Sequence, residues 1–421
     1  MLLSFNHAAV ARDWWASPAG INARDGSTRE NAAGQSTLQS ILDQLKPGDR
    51  LTLLEGVYRD LKLTLKSSGT AQQPITIVGE GASKLPVFES DWSVNSPKRG
   101  PTAFSIKPGV SHIQVRDITI RGYQHGFVAH PQESTPPRVG FAFQNVDMEN
   151  IRHGFYLSQC RDLSFSDCDL KRYSKHGFRF EAGCENVVLK QCTADCTGGD
   201  SEWEKQTEEF PFGFFVNDGG APNARFLFEN CSSMNNLMPL QTTKYKNGDG
   251  FVVEGNSKDV RFQRCLAVNN QDGGFDLKVS DVHLNNCVAL RNKRDFRIWT
   301  TGRLTNCYAG WSQVCIWTSG GPIVAERCTL AGWKSAPVLA EDTKIGVELH
   351  KCLLVVDGTS VTAADLHAVT LIDCIQSADL ESAGLNSQVN WSAASATESG
   401  TTDLAGFDSS KHRDVGFRAK R

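Results

Sequence analysis

No apolar run in this chain is long enough to cross a bilayer as a helix, so a membrane span is not expected. Nor is there an excess of charge. Lysine plus arginine number 44 against 47 for aspartate plus glutamate, a formal net charge of -3, and that balance gives no footprint for bulk binding to nucleic acid. No Pro/Gly/Ser-rich linker divides the 421 residues. An undivided chain of this length exceeds the usual single-core domain and implies an architecture that grows by repetition. The N-terminal stretch MLLSFNHAAVARDWW has an apolar patch and the small triplet Ala9-Val10-Ala11 but no basic n-region. It reads either as the remnant of a signal peptide or as a disordered leader.

What the chain does have is a recurring phrase: an aliphatic residue, a spacer, a second apolar residue, two polar residues and a cysteine. It ends at Cys168, Cys192, Cys231, Cys265, Cys287, Cys307, Cys328, Cys352 and Cys374, and from Cys265 onward the copies are 20 to 24 residues apart. Alternating apolar residues followed by a turn, at one period, describe a strand that buries its face only by stacking on its next copy. The prediction is an all-β fold, a parallel β-solenoid. The longer intervals before Cys231 and Cys265 place insertions on a loop, which in solenoids usually borders the binding face. Nine of the 13 cysteines share one repeat position, so they are expected to stack inside as free thiols and to say little about redox compartment.

Residues 1–50 read as a leader and cap, 51–374 as coils and 375–421 as a polar tail. Within the first part a strand and a turn are expected over 14–30. In the segment Ser36 to Lys46, Leu38, Ile41, Leu42 and Leu45 recur at helical period before Pro47-Gly48, predicting an amphipathic helix that covers the open end of the stack. A second ladder, Gly-Phe or a near relative, runs through Phe127, Phe155, Phe178, Phe214, Phe251, Phe275 and Phe296, and Val314 continues it. The residue two beyond each is apolar, so those one and three beyond form two outward columns. The first holds Tyr156, Arg179, Asp276, Arg297 and Cys315; the second holds Glu181, Asn217, Glu254, Lys278, Trp299 and Trp317. This concentration of acids, bases and aromatics marks the expected site.

Asp249 lies in Asn247-Gly248-Asp249-Gly250-Phe251, and one repeat later Asp272 and Asp276 lie in Asn270-Gln271-Asp272-Gly273-Gly274-Phe275-Asp276. Three carboxylates in successive coils could hold a hard cation such as Ca²⁺, although Asn-x-Asp-Gly also builds turns unaided. His153 and His176 read as ladder residues rather than catalytic acids.

The run N-G-D-G-F, then N-N-Q-D-G-G-F-D, then R-D-F-R resembles the family-nine polysaccharide lyases, relatives of pectate lyase, specifically between Asp249 and Arg297 and more loosely over the solenoid. The resemblance implies a right-handed parallel β-helix, a secreted or periplasmic location and β-elimination from an acidic, uronic-acid-containing polysaccharide. It implies calcium ligands at Asp249, Asp272 and Asp276 and the catalytic base at Arg297. Two departures stand out. Gly273 takes the place of a further acidic ligand, and arginine takes the place of lysine, although its neutral form is scarce at ordinary pH. Lys278 is the alternative base, because lysine shifts its pKa readily where cations or desolvation surround it. Arg179, Lys244, Lys246 and Arg294 add positive charge for a polyanion, Glu181, Asn217 and Glu254 add polar contacts, and Trp299 and Trp317 offer platforms for sugar rings. Elimination needs such residues: the C5 proton of a uronate is too weakly acidic until its carboxylate is neutralised. The competing readings are a β-helical glycoside hydrolase using two carboxylates and a non-catalytic, tailspike-like binding solenoid. The paired-Asp and Gly-His-Gly phrases of pectin hydrolases are missing. The sequence sets neither the sugar nor the oligomeric state.

Overall fold

A computed structural model describes residues 11–21, 23–81, 84–93, 100–132, 135–198, 210–238, 246–342, 344–355 and 369–376. The leader 1–10, the tail beyond 376 and Lys244 lie outside the described residues. Each coil contributes three strands, for example Lys258–Gln263, Leu266–Val268 and Gly273–Leu277, and each strand pairs in parallel with its copy in the next coil. The result is the expected parallel β-helix.

The cysteine phrase supplies the first corner. The residue before each ladder cysteine, among them Asn230, Asn286, Asn306 and Asp373, adopts a left-handed backbone with φ of 51 to 55°, a conformation that Asn and Asp tolerate best. The turn aims the following cysteine inward. All 13 cysteines are free, and those of the ladder are buried except the half-buried Cys374. At the third strand the phenylalanines stack as predicted, with centroids 4.8 Å apart for Phe214 and Phe251 and again for Phe251 and Phe275.

Two boundaries move. The strand Asp13–Ser17 pairs with Arg50–Leu54, so the solenoid begins before its cap rather than at residue 51, and Leu353 pairs with Ile375, so it runs past residue 374. The cap is the helix Leu38–Gln44, with Leu38, Ile41 and Leu42 buried.

The outward column three coils from the end is also corrected. Ile316, not Val314, stacks on Phe296, and Trp317 stacks on Arg297. Cys315 therefore faces the core, where it is buried. This coil carries no Gly-Phe, and nothing local in the sequence separates Val314 from Ile316 as the inward residue.

Inside the corner, side-chain amides form a ladder: Asn236 donates to Asn270 (2.8 Å), Asn270 to Asn292 (2.9 Å) and Asn292 to Asp295 Oδ1 (2.9 Å). Asp295 stands at the ladder's glycine position, is fully buried, and also accepts from Ser312, while its Oδ2 has no partner. Burial pushes its carboxyl well above the usual range, against the lowering effect of the Ser312 and Asn292 hydrogen bonds. A raised folded-state pKa gives stability that is complete below the unfolded value and lost as pH rises. Asp295→Asn removes that loss, so its melting temperature is expected to exceed wild type by a few degrees at pH 8 and to match it near pH 4. Melting curves at the two pH values check this.

His125 stacks on His153 at 5.2 Å between centroids, His153 packs tilted against His176 at 4.9 Å, and His176 stacks on Phe212 at 5.5 Å. This column leads coil by coil to Asp249. Burial pushes all three imidazoles down, His125 to about 3. Unfolded histidine takes up protons that these buried rings refuse, so their contribution to stability is complete above about pH 6.5 and is lost on acidification. His176→Phe is expected to lose less melting temperature than wild type between pH 7 and pH 4, and equal losses would exclude the column as the source.

Candidate active site

The strands Asp249–Val253, Gly273–Leu277 and Arg294–Ile298 lie side by side in the Gly-Phe sheet. Phe251, Phe275 and Phe296 anchor them from within, which holds the residues between and beyond the rings on one outer surface. Asp276 stacks directly on Arg297. Asp272 enters from the turn just before its strand. Asp249 opens its own strand, and its Oδ1 accepts the Gly273 amide.

The three aspartates do converge, each at least 98 % buried, but they converge on arginine. Asp272 Oδ1 accepts from Arg294 Nη1 at 2.5 Å and Oδ2 from Arg297 Nη1 at 3.1 Å. Asp276 Oδ1 accepts from Trp299 Nε1 at 2.6 Å and Oδ2 from Arg297 Nη1 at 3.3 Å. Lys293 Nζ stands 3.8 Å from Asp272, and Lys278 Nζ stands 3.7 Å from Asp276 while pairing with Glu254. Of the carboxylate oxygens of these three aspartates Asp249 Oδ2 alone is left buried without a partner, and Arg297 Nε is likewise buried and unpartnered. Burial, and then the charges of Asp276 and Asp272, push the Asp249 carboxyl well up. Burial also raises Asp276, opposed by Arg297 and Lys278.

The Arg297 guanidinium lies 4.5 Å from the Trp299 ring centroid and 5.1 Å from that of Trp317, and the Arg294 guanidinium lies 5.5 Å from Trp317. Trp317 is only 2 % exposed. It therefore supports the arginines from beneath and has no free face, whereas Trp299 is half-buried.

The surroundings of Lys278 do not favour the neutral amine that a base requires. Its neighbours are carboxylates, not cations: burial acts to lower its pKa, but Asp276 and Glu254 outweigh burial and raise it. Lys278 thus presents a charged ammonium on the outer surface of this sheet. Lys246 is half-buried just ahead of the Asp249 strand.

Arg179, Glu181 and Asn217 are not part of this cluster. Arg179 is three coils from Asp276, about 15 Å along the axis. Its guanidinium pairs with Glu181 at 2.5 Å and packs 4.4 Å from the Tyr156 ring centroid, and Tyr156 donates to Glu181 at 2.5 Å. Asn217 lies beside Glu181 in the next coil. The sequence reading set Tyr156 and Glu181 in different columns; one residue beyond and three beyond the ladder in adjacent coils are diagonal neighbours, which is the signal that joins them. Between the two clusters Phe212, Phe215 and Val252 form a buried apolar patch.

Among the described residues no group of three or more His, Cys, Asp or Glu is arranged to hold a metal ion, and no helix is long and apolar enough to cross a membrane. No curated protein matches the chain. Solved structures that resemble it include pectate lyase Pel9A, with 14 % identity and a TM-score of 0.43 over 87 % of this chain and 78 % of that one. An alginate lyase from Paenibacillus sp. str. FPU-7 shares 16 % identity, TM-score 0.47, over 79 % and 98 % of the two chains. The Dettilon tailspike protein shares 10 % identity, TM-score 0.48, over 85 % and 68 %. At these identities the likeness concerns the fold alone. The model of the Pel9A-like right-handed β-helix region matches residues 14–305, which span the cap, the coils as far as residue 305 and the whole Asp249-to-Arg297 cluster. The chain belongs to the Pel9A-like right-handed β-helix family.

Proposed function

We propose that this member of a β-helical, carbohydrate-active family is a lyase that cleaves a uronic-acid-containing polysaccharide by β-elimination. The observation that carries the reading is the set of four cationic side chains, Lys278, Lys293, Arg294 and Arg297, gathered around buried aspartates on one face beside Trp299. Such a surface binds an acidic sugar, and its cations offset the substrate carboxylate so that the C5 proton becomes acidic enough to remove.

Arg297 takes the role of base. Its Nη1 hydrogen-bonds Asp276 Oδ2, so Asp276 is in place to accept the guanidinium proton as Arg297 takes the proton from C5. The C5–H electron pair forms the C4–C5 double bond, the C4–O bond breaks, and the leaving oxygen is protonated by water. Lys278, Lys293 and Arg294 hold the carboxylate, and Trp299 carries the ring.

The donor set does not fit calcium as the resemblance implies it, because guanidinium groups already engage Asp272 and Asp276 and Gly273 contributes no carboxylate. No step is therefore routed through a metal. A hydrolase pairing Glu181 or Glu254 with Asp276 finds less support, since Glu181 and Asp276 are engaged by arginine and Glu254 by Lys278. A product absorbing in the ultraviolet, formed from a panel of uronic-acid polysaccharides, tests the reading. New reducing ends without that absorbance mean a hydrolase, and neither means a binding solenoid. Action on such a polymer places the protein outside the cytoplasm.

A further inference from the structure

The aspartate cluster holds its own cation. Of the six carboxylate oxygens of Asp249, Asp272 and Asp276, Asp249 Oδ2 alone lacks a hydrogen bond. A calcium ion takes 6–8 oxygen ligands at about 2.3–2.6 Å. Here a single nitrogen, Arg297 Nη1, lies between Asp272 Oδ2 and Asp276 Oδ2 at 3.1 and 3.3 Å, the place where an ion shared by those carboxylates would have to sit. The guanidinium is fixed there: Trp299 and Trp317 flank it at 4.5 and 5.1 Å, and its side chain is only 11 % exposed. Arg294 holds the remaining oxygen of Asp272 at 2.5 Å. An incoming ion would have to expel both arginines or share a buried site with their like charge.

We propose that Arg297, backed by Arg294, is the resident counter-ion of this cluster, so that the protein meets an acidic ligand with guanidinium groups and needs no calcium. The inference rests on the carboxylate cluster and stands apart from whether elimination follows.

The test uses the full chain, with calcium and melting temperature as one probe and terbium with tryptophan-sensitised luminescence as another. Wild type is expected to melt at the same temperature with millimolar calcium as with chelator, and to show no more luminescence than Asp276→Asn. Arg297→Gln leaves three buried carboxylates with one cation fewer and is expected to melt lower by on the order of 5 °C. Either calcium or the second substitution Asp272→Asn should recover that loss. Arg294→Gln, at a more exposed position, repeats the experiment should Arg297→Gln fail to fold. A calcium-dependent rise in wild type that Asp276→Asn abolishes would overturn the inference. So would variants that keep the wild-type melting temperature, or whose loss neither calcium nor Asp272→Asn recovers. An active lyase that binds calcium refutes the counter-ion and leaves the function standing; an inert protein indifferent to calcium does the reverse.

Discussion

Arg297→Ala is expected to lower kcat by about 10³-fold while KM stays within a few-fold of wild type. The reason is positional. Arg297 is aligned by Asp272 and Asp276 and lies against two tryptophan rings, so its contribution is concentrated at one point of the site, where charge moves during elimination. Lys278→Ala should behave oppositely. Its ammonium sits beside Glu254 and Asp276, which keep it protonated, so removing it weakens substrate binding alike in ground and transition states and raises KM by about tenfold with kcat nearly unchanged. Arg297→Lys is the more informative substitution. A base with a lower intrinsic pKa should retain part of the turnover and shift the pH optimum downward, whereas a purely electrostatic arginine replaced by lysine leaves the optimum where it was. Initial rates across pH, read from the absorbing product, separate these outcomes. Near-normal kcat for both alanine variants would refute the mechanism.

The solenoid was legible because its two ladders are periodic and each position has one physical task. From Cys168 onward a cysteine follows one left-handed corner of each coil, a phenylalanine fills the coils from Phe127 to Phe296, and the residue two beyond it is apolar. Where the period holds, the register held: Asp276 was expected beside Arg297 and is found there. Where the motif fades, as at Val314, nothing local distinguishes one apolar residue from another two positions on, and the column slipped. That slip displaced Trp317 from beneath the arginines to an imagined sugar platform. The charge balance was harder to read. Register shows that acids and bases share a surface, but which base takes which acid depends on side-chain reach. Lys278 was judged by its freedom to shift its pKa, yet the sign of that shift is set by neighbours that only folding supplies. The three aspartates likewise read as ligands awaiting a cation because the sequence cannot show that Arg297 reaches back across one coil to both Asp272 and Asp276. Asp295 reads in the sequence as one more ladder position, a near relative of Gly-Phe, because periodicity cannot show the amide ladder that makes it a buried hydrogen-bonded carboxyl.

Phe275→Ala is expected to cost about 3–5 kcal/mol of stability, the largest loss available from one side chain near the site. Phe275 is fully buried, with ring centroids 4.8 Å from Phe251, 5.3 Å from Phe296 and 5.5 Å from Phe262, so truncation removes three ring contacts and leaves a cavity that neighbouring coils cannot close without breaking their own pairing. The consequence for function follows from the next residue. Asp276 is held by the strand that Phe275 anchors, and a strand free to shift by a fraction of an ångström loosens the Arg297 contacts. Phe127 provides the control: it is equally buried and stacked, 4.7 Å from Phe104 and 5.5 Å from Phe155, but it lies five coils from Asp276 along the same sheet. In a solenoid each coil contacts chiefly its neighbours, so Phe127→Ala should lose comparable stability in chemical denaturation yet retain kcat well below the melting transition, while Phe275→Ala loses both. Equal retention of kcat by the two variants would show that the aspartate cluster is held by its ion pairs alone, independently of the phenylalanine ladder beneath it.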